Sequence, residues 1–185
     1  MIEEFTADAD ERMGKTIEAM QAAFARIRTG RAHPSLLDGI EVPYYGSDAP
    51  LNQVASISVE DARTLLVSPW EKSLVPAIQK AILKSDLGIT PAASQDVVRL
   101  PLPALTEENR RELARQARQE AEAARIAIRN IRRDAISDIR ELLREKEVAQ
   151  DDARRGEEAV QQVTNRRVKE VDQALEAKEA DLMAV

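Results

Sequence analysis

"LTEENRRELARQARQEAEAARIAIRNIRRDAISDIRELLREK", residues 105–146, contains neither glycine nor proline. Thr106 is placed to cap a helix, and Glu107 and Glu108 follow it where the positive end of the helix dipole favours acids. Ala117, Ala121, Ala124, Ile128, Ile131, Ala135, Ile139 and Leu142 then recur at helical spacing and mark one core-facing stripe. A helix of about 40 residues is about 60 Å long and has to bury such a stripe on partners of similar length.

Two such partners flank it. Residues 1–29 read as a helix in which Met13, Ile17, Met20, Phe24 and Ile27 step along one face, with Gly14 a weak spot and Gly30 the stop. After a break within "EKEVAQDDARRG", residues 145–156, a third helix carries Val160, Val163, Val168, Val171, Leu175 and Leu182. Val168, Leu175 and Leu182 are seven apart, a heptad signature. Three long helices make a bundle.

Residues 31–104 have another texture. Seven of the eight prolines lie from Pro34 to Pro101, and Pro103 is the eighth. "GIEVPYYG", "NQVASISVE", "RTLLVSPW" and "DVVRLPLP" are short strand-like runs bounded by turn residues. "SLVPAIQKAILKSDLG" reads as a helix, with Ser73 as its cap, Pro76 in its first turn and Gly88 beyond its end. The expected fold is therefore α+β: a long three-helix bundle from residues 1–30 and 105–185, with a small β/α/β domain inserted at 31–104. Two short connections, Gly30–Arg31 and Pro101–Leu105, are expected to form a hinge in a two-armed, elongated molecule.

Composition narrows the function classes. Hydrophobic residues make up 43%, enough for a core, but aromatics only 3%, so aliphatic side chains must fill it. The absence of cysteine excludes thiol chemistry and Cys-based zinc sites and fits a cytoplasmic protein. The acidic start "MIEEFTADADERM" is no signal peptide, and no apolar run reaches the length of a membrane span, so no membrane partner is expected.

Against a formal net charge of −6, residues 110–133 carry eight arginines and three glutamates. On a helical wheel Arg118, Arg129 and Arg132 fall within about 40° of Arg125, and Arg111, Arg115, Arg133 and Arg140 within about 80°. They form a ribbon beside the core stripe. Two readings stay open on the residues alone. The ribbon is a solvated face laced with Arg–Glu pairs, such as Glu122 with Arg125 and Arg129. Or it contacts a polyanion, which suits Arg129, Arg132 and Arg133, a window with no acid before Asp134. A scaffold that binds other helices through bundle grooves is a further reading, separable by its weak salt dependence.

Catalysis finds little support. His33, the one histidine, precedes Pro34 and reads as a structural turn residue. Asp151 and Asp152 read as a helix start, since neighbours on a helix face different ways. Tyr44 and Tyr45 would point to opposite faces of a strand, and Trp70 reads as packing between strand and helix. No phosphate loop, nucleophile elbow or metal-ligand cluster is present, so no catalytic residue, metal or cofactor is expected.

"RTGRAHPSLLDGI" at 28–40, "YYG" at 44–46, "VRLPLPALTEENRREL" at 98–113 and "RNIRRDA" at 129–135 resemble the ribosome recycling factor family, and the resemblance extends through "EAKEADLM" at 176–183. It implies a non-enzymatic factor that, with elongation factor G and GTP, splits the ribosome after termination and releases it from mRNA. It also implies that the bundle grips large-subunit rRNA, that the inserted domain swings toward the small subunit, and that the factor acts as a cytoplasmic monomer. By motif, Arg129, Arg132 and Arg133 would lie at the rRNA contact, Arg132 foremost, with Arg118 and Arg125 along the same ribbon. Arg28 and Arg31 would sit on the rim of a hinge formed by Gly30, Arg31, Pro101, Pro103 and Leu105. Two positions depart from the pattern: His33, where a small polar residue is expected, and Asn109, where a further basic residue is expected.

Overall fold

A computed structural model describes residues 1–184. The chain divides into two compact units, one of Met1–Ile27 with Arg111–Met183, the other centred on Arg28–Arg110. Residue 185, the end of the expected bundle, lies outside the described residues.

The first unit packs three helices: α1 (Ile2–Arg26), α4 (Glu107–Arg144) and α5 (Gln150–Met183). The anticipated seam of α1 is buried, from Met13 and Ile17 through Met20 and Phe24 to Ile27. It meets the α4 stripe of Ala117, Ala121, Ala124, Ile128, Ile131, Ala135 and Ile139 in one cluster. Thr106 caps α4 as its sequence suggests, its Oγ1 accepting from the Asn109 N–H at 3.1 Å. The helix ends in a Schellman turn: Glu147 N–H reaches Leu142 O and Lys146 N–H reaches Leu143 O, with Lys146 at φ 62°.

Helix α5 departs from the heptad expectation. Val168 and Leu175 are only half-buried, whereas Val160, Val171 and Leu182, each eleven residues on from the last, are fully buried. An eleven-residue spacing follows a nearly straight helix, whereas a strict heptad would wind the bundle into a left-handed supercoil. Gly156 belongs to this core and not to the break before the helix. A Cβ there would overlap Ile2 Cγ2 and stand 3.3 Å from Ile139 Cδ1, so glycine lets three helices close on one point.

The second unit holds a hairpin and a four-stranded antiparallel sheet. Strands β1 (Glu41–Tyr44) and β2 (Ser47–Pro50) pair through the two-residue turn Tyr45–Gly46, both at positive φ. The sheet runs in the order β3 (Ala55–Asp61), β4 (Thr64–Pro69), β6 (Val98–Pro101), β5 (Ala92–Ala93). Leu65, Val67, Val98 and Leu100 pack with Ile78 and Ile82 of α3 (Val75–Lys84). The four residues before β3 form a helical turn, α2 (Leu51–Val54), so that strand is shorter than its sequence suggests.

Four local expectations are corrected. Ser73 sits inside a 3-10 turn, Lys72–Leu74, and caps nothing; α3 begins from Leu74 with Pro76 in its first turn. Tyr45 lies in the turn and not in a strand, so Tyr44 and Tyr45 do not diverge; both hydroxyls converge on Glu71 at 3.2–3.3 Å. Trp70 does not pack inside. It is 68% exposed, held by its indole N–H to Gln53 O at 3.3 Å and its backbone N–H to Val54 O at 3.1 Å. Ala55, Ile57 and Val59 alternate with polar neighbours and predict one covered face, but burial fades along β3: Ala55 is buried, Ile57 half-buried and Val59 exposed.

Candidate nucleic-acid interface

The arginine ribbon rides on α4, where the unbroken helical period fixes each side chain's heading relative to the buried stripe. Helix α5 runs along the same flank, and its acids meet part of the ribbon. Arg118 Nε donates to Glu179 Oε1 at 2.6 Å. Arg125 donates through Nε and Nη2 to Asp172 Oδ1 at 2.9 and 2.6 Å, and through Nη1 to Glu122 Oε2 at 3.2 Å. Its side chain is 21% exposed, and the hydrogen bond to Asp172 is the main cause of a pKa above the ordinary arginine value. Arg140 Nε donates to Glu157 Oε1 at 2.7 Å. These three arginines stitch two helices together.

Between Arg125 and Arg140 the partners change. Arg129 has a 54% exposed side chain and stands 3.6 Å from Glu122 Oε1, outside hydrogen-bonding distance. Arg132 donates through Nη1 to Gln161 Oε1 at 2.7 Å, a neutral acceptor. Arg133 is exposed and has no hydrogen bond or ion pair among the described residues. Arg132, Arg133, Arg140 and Arg144 line an open concavity of about 460 Å³ with Ile136 and Ser137. The structure thus keeps Arg129, Arg132 and Arg133 together with no carboxylate hydrogen-bonded to any of them among the described residues; Arg132 and Arg133 make no ion pair there, and Arg129 has only the long one to Glu122 at 3.6 Å. It adds Arg144, which is exposed and also without a hydrogen bond or ion pair among the described residues. Arg144 was legible in principle: it follows Arg133 by eleven residues, three turns of helix, and so returns to nearly the same heading.

Such a face suits phosphate. Guanidinium groups offer paired donors in a plane and stay charged at any accessible pH, and those of Arg132 and Arg133 have no carboxylate partner among the described residues. It does not suit acid–base or metal chemistry, and the described residues hold no cluster of three or more potential metal ligands.

Arg28, Arg31 and the expected hinge residues belong to the second unit. Arg28 Nη2 donates to Pro103 O at 3.4 Å, joining the two connecting segments. Arg31 is exposed, and its backbone N–H donates to Thr29 Oγ1 at 3.4 Å. Pro101 is the last residue of β6, opposite Thr64, and Leu105 is half-buried. Ala32 N–H reaches Ala62 O at 2.8 Å and Leu102 N–H reaches Arg63 O at 2.7 Å, so both segments are pinned to the β3–β4 turn. Gly30 needs no special backbone conformation, and the nearest atom to a Cβ there is Leu105 Cδ1 at 4.0 Å. His33 fills the capping role of the small polar residue expected in its place: its Nδ1 accepts from the Ser35 N–H at 3.1 Å, ahead of the 3-10 turn Pro34–Leu37.

Comparison with known proteins was decisive about kinship. The profile of the family described as "Ribosome recycling factor" matches residues 20–183. Proteins named ribosome-recycling factor from Saccharophagus degradans and Nitrosococcus oceani are 55% and 57% identical over 185 residues, covering all of this chain and 100% and 99% of theirs. A solution structure of the ribosome recycling factor is 37% identical, with a TM-score of 0.77, over 100% of this chain and 98% of that one. A second structure is described as models for the T. thermophilus ribosome recycling factor and the E. coli elongation factor G bound to the E. coli post-termination complex. It is 40% identical, with a TM-score of 0.66, and covers 100% of both chains.

Proposed function

The chain belongs to the ribosome recycling factor family, and from that premise we propose that it works with elongation factor G and GTP to split the ribosome after termination. Its part is mechanical. It binds the large subunit, elongation factor G supplies the GTPase, and the chain itself catalyses no reaction. Its place of action is the ribosome, in the cytoplasm.

Arg129, Arg132 and Arg133 are the rRNA-contacting residues, and Arg144 extends their face. The observation that supports this assignment is that no carboxylate is hydrogen-bonded to Arg129, Arg132 or Arg133 among the described residues, whereas Arg118, Arg125 and Arg140 on the same ribbon hydrogen-bond carboxylates of α5. Arg118 and Arg125 lie on the same ribbon but already hold carboxylates, so they add less to phosphate binding and more to the bundle. The two segments pinned at Ala32 and Leu102 act as the hinge, with bending confined to Arg28–Arg31 and Pro103–Thr106. Arg28, Arg31, Gly30, Pro101, Pro103 and Leu105 are assigned to that hinge and its rim, with Pro101 as its fixed end in the sheet.

Light scattering of post-termination ribosomes tests the reading. Splitting is expected only when this protein, elongation factor G and GTP are all present, and omitting any one should abolish it. Splitting that proceeds without this protein, or fails with all three, would overturn the assignment.

A further inference from the structure

Arg132 is the one member of the α4 ribbon held across to α5 by an uncharged group. Its Nη1 donates to Gln161 Oε1 at 2.7 Å, and Gln161 Nε2 donates in turn to Asn165 Oδ1, one turn further along α5, at 2.8 Å. The direction of this relay is fixed by chemistry. Arginine has no acceptor, so only the amide oxygen of Gln161 can face it. That leaves the Gln161 NH₂ to find an acceptor, which sets the orientation of Asn165 as well.

The Arg132 Nε–H is covered and has no acceptor among the described residues. Among the described residues Gln161 is therefore the one side chain hydrogen-bonded to the Arg132 guanidinium. Arg118, Arg125 and Arg140 bind carboxylates of α5, at Glu179, Asp172 and Glu157, in one register that would set Arg132 opposite Asn165; Arg132 instead reaches Gln161, one turn away. A carboxylate would orient the guanidinium equally well but would also compete with phosphate for its charge. A neutral amide orients it and leaves the positive charge intact.

Resting on the reading of Arg132 as an rRNA contact, we propose that Gln161 is a positioning residue, which aims the Arg132 guanidinium at ribosomal phosphate without neutralising it. Asn165 supports it by holding the amide in the required orientation. The side chain is thus partly ordered before binding, which lowers the entropy lost when a phosphate arrives.

The test uses the full chain and isolated large ribosomal subunits, with affinity measured over a range of salt. Arg132→Ala should weaken binding about tenfold and make the dependence of log affinity on log salt shallower by about one. Gln161→Glu is nearly isosteric, keeps the acceptor and adds a carboxylate. It should leave the melting temperature unchanged or higher, yet weaken binding by about the same factor with the same loss of salt slope. Gln161→Ala, which removes the aim but not the charge, should cost about threefold and leave the slope unchanged. In the Arg132→Ala background, Gln161→Glu should have no further effect.

If Arg132→Ala weakens binding but Gln161→Glu does not, the positioning role is wrong and the contact reading stands. An undiminished loss from Gln161→Glu in the absence of Arg132 would also overturn it. If Arg132→Ala itself binds normally, the contact reading fails, and this inference with it.

Discussion

Arg125 and Arg132 stand seven residues apart on α4, and therefore on one side of the helix, but they are held in opposite ways. Arg125 is half-buried and makes three hydrogen bonds to carboxylate oxygens of Asp172 and Glu122. Arg132 makes one bond to an amide, and among the described residues its neighbours Arg129 and Arg133 have no hydrogen-bonded acid. The same residue type on the same helix face thus does two jobs. Where α5 presents a carboxylate, arginine acts as a cross-helix tie. Where it presents glutamine or nothing, the charge faces outward. In an acidic chain this division leaves a narrow strip of positive potential, which favours a structured polyanion over indiscriminate binding.

The largest effect should come from removing the open set as a group. Arg129, Arg132 and Arg133 replaced together by alanine should weaken binding to isolated large subunits about a hundredfold or more and flatten the salt dependence by two to three phosphates' worth. The fold should survive, because none of the three makes an ion pair shorter than 3.6 Å. Circular-dichroism melting beside the binding assay checks both halves. A large fall in stability would erase the distinction between tie and contact.

Arg125→Ala should show the reverse. It removes a half-buried arginine whose partners Asp172 and Glu122 are exposed, at a cost of about 1 kcal/mol. For a chain of this size that lowers the melting temperature by about 2–4 °C. Affinity for the large subunit below the melting range should change less than threefold.

Acid should distinguish charged ties from the amide relay. Asp10 of α1 accepts from Arg166 Nη2 at 2.6 Å and Arg167 Nε at 2.7 Å. The Arg166 hydrogen bond is the largest influence on its carboxyl, and with Arg167 it outweighs desolvation and holds the pKa below the ordinary aspartate value. A depressed folded pKa means that the tie contributes fully above the unfolded value of about 3.9 and is lost as pH falls through the lower folded value. Stability measured by urea unfolding should therefore drop more steeply below about pH 4 in the parent than in Asp10→Asn. Identical pH profiles would show that the tie carries no net stability.

The smallest effect is a gain. Glu122 sits 3.6 Å from Arg129, so Glu122→Gln should free that charge and tighten binding about twofold at low salt, with the difference vanishing at high salt. Because Glu122 also bonds Arg125 at 3.2 Å, a slight loss of stability should accompany the gain.

Much of this architecture is readable from local pattern. The seam of α1 and the alanine–isoleucine stripe of α4 are periodic over many turns, and burial follows that period as far as Ile139; at the end of the helix Leu143, and not the expected Leu142, packs against the core. The Thr106 cap depends only on its own helix start. The arginine ribbon follows from spacing alone. Trp70 and Ser73 were not readable this way, because each depends on the turn geometry where β4 hands over to α3. The short strands β2 and β5 are not readable either, for a different reason. Ser47–Pro50 and Ala92–Ala93 are strands only because β1 and β6 lie beside them.

The amino-acid sequence by itself determined three long helices, a β-rich insert between the first and second, and a lengthwise row of arginines, since each depends on periodicity within one segment. Only the tertiary structure decided which arginines are tied and which are open. Asp172, Glu179, Glu157 and Gln161 come 17 to 61 residues later in the chain than the arginines they meet. Their alignment is set by how α5 packs on α4, through Gly156 and the fully buried Val160, Val171 and Leu182. A change in that packing register would take the Gln161 amide away from Arg132, and no local pattern in either helix records it.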